Sequence, residues 1–240
     1  MSRKCSASPI CRSAPRANFE TGYLNASSIA ACGILGGTFD PVHLGHIALA
    51  EAALAALPLH EVLWLPSGSP GHRGSPAAGA RERLAMLELA TAGNPRYRID
   101  AGELGRSEPT YTVHTLARLR EQLGNAQPLV LLLGGDSFLS LPTWLRWREL
   151  FDFAHIAYVS RPGHAAGSAG PAPELAAEIA RRAALPAALA ASAAGRITSF
   201  DMPPVDISSS AIRAGLAAGQ DLRHLLPAAV LAYIQSQHLY

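Results

Sequence analysis

The sequence predicts an α/β protein built on a doubly wound, mostly parallel sheet and ending in short helices. Three observations carry that expectation. From Ile29 onward, short apolar runs alternate with stretches of helical spacing. The strongest apolar runs are continuous, as in strands buried on both faces, and no strand-like run follows Phe200. A length of 240 residues, 49% of them hydrophobic, suffices for one large domain with a substantial core.

In chain order, Ala30–Leu35, Val62–Leu65, Tyr97–Ile99, Leu129–Leu133, Ile156–Val159 and Ile197–Phe200 read as strands. Between them, Leu44–Leu57, Ala80–Ala92, Thr112–Leu123, Trp144–Phe153 and Pro173–Ala191 read as helices, so crossovers should be right-handed. Pro203 and Pro204 end this alternation, and residues 201–240 form a helical part with one helix opening near Ser208 and another from Pro227 to about Gln235. Such a Rossmann-like sheet binds ligands at the carboxyl ends of its strands. Ser67–Gly79, directly after a strand, and Arg161–Pro173 read as surface loops.

Residues 29–240 are read as the folded domain and 1–28 as a disordered extension. The extension has Arg3, Lys4, Arg12 and Arg16 with no acid before Glu20, a composition shared with organelle transit peptides, but no apolar core of a secretory signal. No run approaches the ~18 apolar residues of a membrane helix. Cys5, Cys11 and Cys32 have no metal-site or disulfide spacing, which fits a reducing, cytoplasmic compartment. The formal charge is only +2, too balanced for a sequence-independent grip on nucleic acid.

Of 20 basic residues, Lys4 is the single lysine. P-loop enzymes, kinases with a strand lysine, Schiff-base enzymes and lysyl-nucleotidyl ligases are therefore excluded. Phosphate chemistry here must use histidine, arginine and backbone amides. Arg81, Arg83, Arg118 and Arg120 fall on predicted helices without a motif and are expected at the solvated surface.

The most informative segment runs Gly36-Gly37-Thr38-Phe39-Asp40-Pro41-Val42-His43-Leu44-Gly45-His46, between the first strand and the first helix. The glycines are expected to bring backbone close to a phosphate-bearing ligand, and the helix start favours negative charge. That dipole contributes only ~0.3–1 kcal/mol, so it is not the whole site. His43 and His46, three residues apart, should project to one side, with Gly45 leaving room for a nucleotide. Paired imidazole donors suit charge growing on an α-phosphate. A metal-binding pair or two core histidines are the competing readings. The segment does not match G-x-G-x-x-G, so hydride transfer loses its main support.

These residues contain the H-x-G-H signature of the nucleotidyltransferase superfamily, and their context resembles the bacterial nicotinate-nucleotide adenylyltransferases. The resemblance covers about Gly33 to Tyr240. Ile207-Ser208-Ser209-Ser210-Ala211-Ile212-Arg213 is similar to the family's I-S-x-T-x-I-R, with Ser210 where threonine is usual. The resemblance implies that Gly36, Gly37, Thr38, Phe39, His43, His46, Ser208, Ser209, Ser210 and Arg213 bind ATP, with His43, His46 and Arg213 catalytic. An ordinary serine cap is the plain alternative for Ser208.

The resemblance also implies an acceptor site. Trp144 would stack on a pyridine ring, amides around Thr112 and Leu145 would hold its carboxylate, and Asp136 would bond a ribose hydroxyl. With no nearby acid, those amides suit nicotinate. Trp144 as core and Asp136 as a helix cap are the structural alternatives. His72-Arg73 is similar to a degraded form of the family's Pro-Pro-His-Lys, and Arg161-Pro162-Gly163 to its Arg-Arg-Pro-Gly.

The implied activity is adenylyl transfer from ATP to nicotinate mononucleotide, with Mg²⁺ held mainly by phosphates and no protein metal site. Nicotinamide mononucleotide or phosphopantetheine as acceptor, and a non-catalytic nucleotide-sensing module, remain as rivals. No nucleic-acid or membrane partner is expected, and a homo-oligomer is left open.

Overall fold

The computed structural model describes residues 30–70, 75–106, 108–160 and 170–240. Residues 1–28, His72, Arg73 and Arg161 lie outside them. The chain runs β1 (Ala31–Gly37), α1 (Leu44–Ala56), β2 (Leu59–Pro66), β3 (Ser69–Pro70), α2 (Ala80–Thr91), β4 (Tyr97–Ile99), β5 (Pro109–Thr110) and α3 (Thr112–Leu123). It continues with β6 (Leu129–Leu133), α4 (Gly135–Leu139), α5 (Leu150–Phe153), β7 (His155–Ser160), α6 (Pro173–Arg182), β8 (Ile197–Asp201), α7 (Ser209–Ala217) and α8 (Ala228–Ser236).

The main sheet has the order β4-β2-β1-β6-β7-β8 and every pairing in it is parallel. From β1 the chain builds outward through β2 to β4, then crosses back to place β6 on the other side of β1. This is the doubly wound arrangement, and the reversal opens a crevice at the carboxyl ends of β1 and β6.

The continuous apolar strands send alternate side chains to two core layers. Leu35, Val62, Trp64, Val130 and Leu132 join α1, α2, α7 and α8 through Ala50, Met86, Ile212 and Val230. Ile34, Leu63, Leu65, Leu131 and Leu133 join α3, α4, α5 and α6 through Leu116, Phe138, Phe151 and Leu175. Each such side chain fully buried favours the fold by about 1.5–3 kcal/mol. The C-terminal helices thus complete one face of the sheet.

Two predicted helices are broken. Trp144–Phe153 is interrupted at Arg146, whose φ of 52° is left-handed, and only Leu150–Phe153 is α-helical. Pro173–Ala191 stops at Arg182: Ala183 bridges to Ile197, and Pro186 opens a separate 3-10 turn over Pro186–Ala190. Within the expected loop Ser67–Gly79, Ser69–Pro70 pairs in parallel with Pro109–Thr110. No helix among the described residues is long and apolar enough to cross a membrane.

Candidate active site

A cleft of about 790 Å³ occupies the crevice between β1 and β6. Its size lies within the range of small-molecule sites. One wall comes from the β1–α1 turn and the start of α7, the other from the start of α3 and the segment after β6.

His43 is the N-cap of α1, extended at φ −144° and ψ 171°, and His46 is the third helical residue. Their rings stack 3.7 Å apart at 24°. The Nδ1 of His46 accepts the backbone N–H of His43 at 3.3 Å. With Nδ1 an acceptor, a neutral His46 carries its proton on Nε2, which makes that nitrogen a donor. Burial lowers the pKa of His43 from its usual 6.5 to about 4, so it is a neutral imidazole at neutral pH.

Phe39 lines the cleft, though its side chain is almost fully enclosed. Its side chain is 1% exposed and packs edge-on against His46 at 5.0 Å and against Trp64 at 5.6 Å. Its ring backs the stacked His43–His46 pair. The residue holds a left-handed φ of 51°, and a Cβ on Gly37 would lie 2.9 Å from its ring. Gly37 is therefore required by Phe39, whereas the Cβ position of Gly36 meets no atom within 4 Å and opens to the cleft.

The three serines do different work. Ser208 Oγ caps α7 by accepting Ala211 N–H at 3.2 Å, and Ser209 Oγ donates to the Pro41 carbonyl at 3.0 Å. Ser210 Oγ accepts from Arg213 Nη2 at 3.3 Å. Arg213 Nη1 donates to the Asp40 carbonyl at 2.7 Å and stands 3.7 Å from the Asp40 carboxylate. The guanidinium remains about one-third exposed beside the cleft.

On the opposite wall, Thr112 opens α3, and Trp144 is half-buried at the cleft while Trp147 is core. Leu145 is 39% exposed and also lines the cleft. Asp136 is in the first turn of α4 and exposed; the cleft is lined instead by Gly134, Gly135 and Ser137. The expected absence of an acid is corrected: Glu103, 6% exposed, lines the same cleft and accepts the Thr115 hydroxyl.

Residues 34–215 match the sequence pattern of the family described as cytidylyltransferase-like. A relative from Dechloromonas aromatica (strain RCB), named "Probable nicotinate-nucleotide adenylyltransferase", is 49% identical over 87% of this chain and 96% of its own. Another of that name, from Laribacter hongkongensis (strain HLHK9), is 50% identical over 88% and 94%. The chain belongs to the nicotinate-nucleotide adenylyltransferase family. A solved structure of the Plasmodium falciparum nicotinic acid mononucleotide adenylyltransferase complexed with NaAD shares the fold, at TM-score 0.64 and 18% identity, over 88% of this chain and 97% of that one. The same enzyme complexed with APC aligns at TM-score 0.63 and 17% identity over the same shares.

Sequence reasoning missed several residues that shape this site. Arg83, expected at the surface, is 2% exposed and donates to the carbonyls of Thr38 at 2.8 Å, Ser67 at 2.7 Å and Gly68 at 3.2 Å. It ties together the loops that follow β1 and β2. Arg120 is likewise buried, bonded to the carbonyls of Gly124, Gln127, Phe153 and Ala193, and Arg118 pairs with Asp100 at 2.8 Å. Only Arg81 of that group is exposed. A signal for Arg83 was present: it falls three and four residues before Met86 and Leu87, on the buried stripe of α2.

Proposed function

We propose that this protein joins ATP to nicotinate mononucleotide, releasing pyrophosphate and forming nicotinate adenine dinucleotide for NAD biosynthesis in the cytoplasm. Membership of the family supports the reaction. The observation that carries the chemistry is the stacked His43–His46 pair at the mouth of β1, with Arg213 beside it on the same wall.

An oxygen of the acceptor's phosphate attacks the α-phosphorus of ATP as the bond to the bridging oxygen breaks. His43 and the Nε2–H of His46 donate to the phosphates, where negative charge develops. Arg213 and the first amides of α7 take the departing pyrophosphate. No group on the enzyme forms a bond to the nucleotide, so alignment carries much of the rate, and good alignment alone supplies about 7–11 kcal/mol. Trp144 offers a stacking face to the pyridine ring, and the unsatisfied amides at the start of α3 hold its carboxylate.

Mg²⁺ bound to the triphosphate would offset its charge. Among the described residues no cluster of three His, Cys, Asp or Glu side chains could hold a metal. The two acids lining the cleft are committed elsewhere: Asp40 accepts two backbone amides and a tyrosine hydroxyl, and Glu103 accepts from Thr115. Phosphate oxygens and water would be its main ligands.

Pyrophosphate release with ATP and each of three acceptors tests the reading. Nicotinate mononucleotide should give the highest kcat/KM, above nicotinamide mononucleotide and phosphopantetheine. Preference for the nicotinamide form would overturn the acceptor, and no release with any of them would overturn the enzyme.

A further inference from the structure

Asp40 lies in the cleft wall with only 4% of its surface exposed, and four groups converge on it. Its Oδ2 accepts the N–H of Ala77 at 2.8 Å. Its Oδ1 accepts the N–H of Ala78 at 3.0 Å and the hydroxyl of Tyr240 at 2.6 Å. Tyr240 is the last residue of the sequence, reaching back 200 positions. The fourth group is Arg213, whose Nη1 stands 3.7 Å from Oδ2 yet gives its hydrogen bond to the Asp40 carbonyl at 2.7 Å.

A carboxylate beside a guanidinium ordinarily forms a bidentate fork, because two parallel charge-assisted hydrogen bonds are stronger than one. Here that fork is not formed. Three other donors take three of the carboxylate's roughly four acceptor positions, two of them on Oδ1, and Tyr240 makes the shortest of those bonds. The Tyr240 phenol remains a donor at every working pH, since burial and the adjoining Asp40 carboxylate hold its pKa far above the usual range. Tyr240 itself is not among the residues lining the cleft.

We infer that Tyr240 is a positioning residue: its hydroxyl keeps Asp40 from capturing Arg213 and so leaves the guanidinium available to pyrophosphate. The inference rests on the assignment of Arg213 to the pyrophosphate end. Without the hydroxyl, Oδ1 regains a free lone pair and charge density, and Asp40 turns toward the nearest cation. Arg213 would then be neutralised by its own neighbour.

The reaction run in reverse, from nicotinate adenine dinucleotide and pyrophosphate, reads this through the pyrophosphate KM. Tyr240→Phe, which keeps the ring, should raise that KM about tenfold, the equivalent of roughly 1.4 kcal/mol, while the dinucleotide KM stays unchanged. Arg213→Met should raise the pyrophosphate KM as well, and adding Tyr240→Phe to it should have no further effect, because the two act through one contact.

A merely structural Tyr240 would move both KM values together, or would leave pyrophosphate unaffected while Arg213→Met moves it; either result overturns the inference. An Arg213→Met enzyme with an unaltered pyrophosphate KM would instead overturn the role of Arg213. Asp40→Asn gives an independent route should Tyr240→Phe fold poorly. With the competing charge gone the pyrophosphate KM should not rise, and a clear rise would count against the account.

Discussion

The two walls of the cleft are built on different principles. On the wall proposed for the phosphates, Ser209 is tied to Pro41, Arg213 to Asp40, and Asp40 to Ala77, Ala78 and Tyr240, all distant in sequence, while Ser208, Ser210 and His46 are held by neighbours three residues away. The wall proposed for the acceptor offers a half-buried Trp144, an exposed Leu145 and the start of α3, which has no side-chain cap and a single distant tie from Thr115 to Glu103. Charge developing in a transition state is stabilised best by donors fixed beforehand, whereas a flat ring and a carboxylate need only a surface and a few amides. Changes on the first wall should therefore reduce kcat, and changes on the second should raise the acceptor KM.

The sharpest way to break this contrast is His46→Ala. Loss of a preorganised donor should lower kcat about 10²–10³-fold. The thermal midpoint should stay nearly constant, because the ring is only partly buried. A variant with near-normal kcat and a raised acceptor KM would erase the distinction between the walls.

Arg83→Met tests the support behind the phosphate wall. Three loop carbonyls lose their donor. A destabilisation of about 3 kcal/mol is expected, which for a chain of this size lowers the midpoint by roughly 6–12 °C. An unchanged midpoint in a thermal melt would show that the loops hold without this tie.

Acid sensitivity should follow from the same wall. The unfolded chain protonates His43 near 6.5, whereas the folded chain does so only near 4. Between those values the unfolded state binds more protons, so stability falls as pH drops through that window and is unaffected above it. The full loss is on the order of 3 kcal/mol. His155, buried against the Ser192 carbonyl, has its pKa lowered by burial and adds in the same sense. Denaturant midpoints measured from pH 7 to pH 4 should decline less for His43→Gln than for the unaltered protein; parallel declines would contradict the assignment.

The smallest effects belong to the acceptor wall. Trp144→Ala should raise the acceptor KM about tenfold through lost stacking, with kcat and the ATP KM little changed. Leu145→Ala should do far less, since an amide contact does not depend on its side chain.

The sheet was legible in sequence because strands such as Leu129–Leu133 are continuous apolar runs and helices such as Thr112–Leu123 have clear spacing; both keep the boundaries expected of them. Short elements were not. α4 and the β3–β5 ladder are too brief to show any period, and the Arg146 break depends on a left-handed residue that carries no local signal. The same divide applies to the site. The two motif segments were readable because their residues are adjacent in the chain and lie together on one wall. Arg83, Glu103 and Tyr240 act through contacts made only after folding, and the burial of the Phe39 side chain is likewise hidden by its place in the motif.

The central claim is that this cleft aligns two substrates for one direct displacement at the α-phosphorus, with no enzyme-bound nucleotide. Running the reaction with a single diastereomer of ATP carrying sulfur on the α-phosphate reads the stereochemical course at that atom. The account predicts inversion; net retention would require two displacements, and so a covalent intermediate on a group such as His43 or His46, and would contradict it.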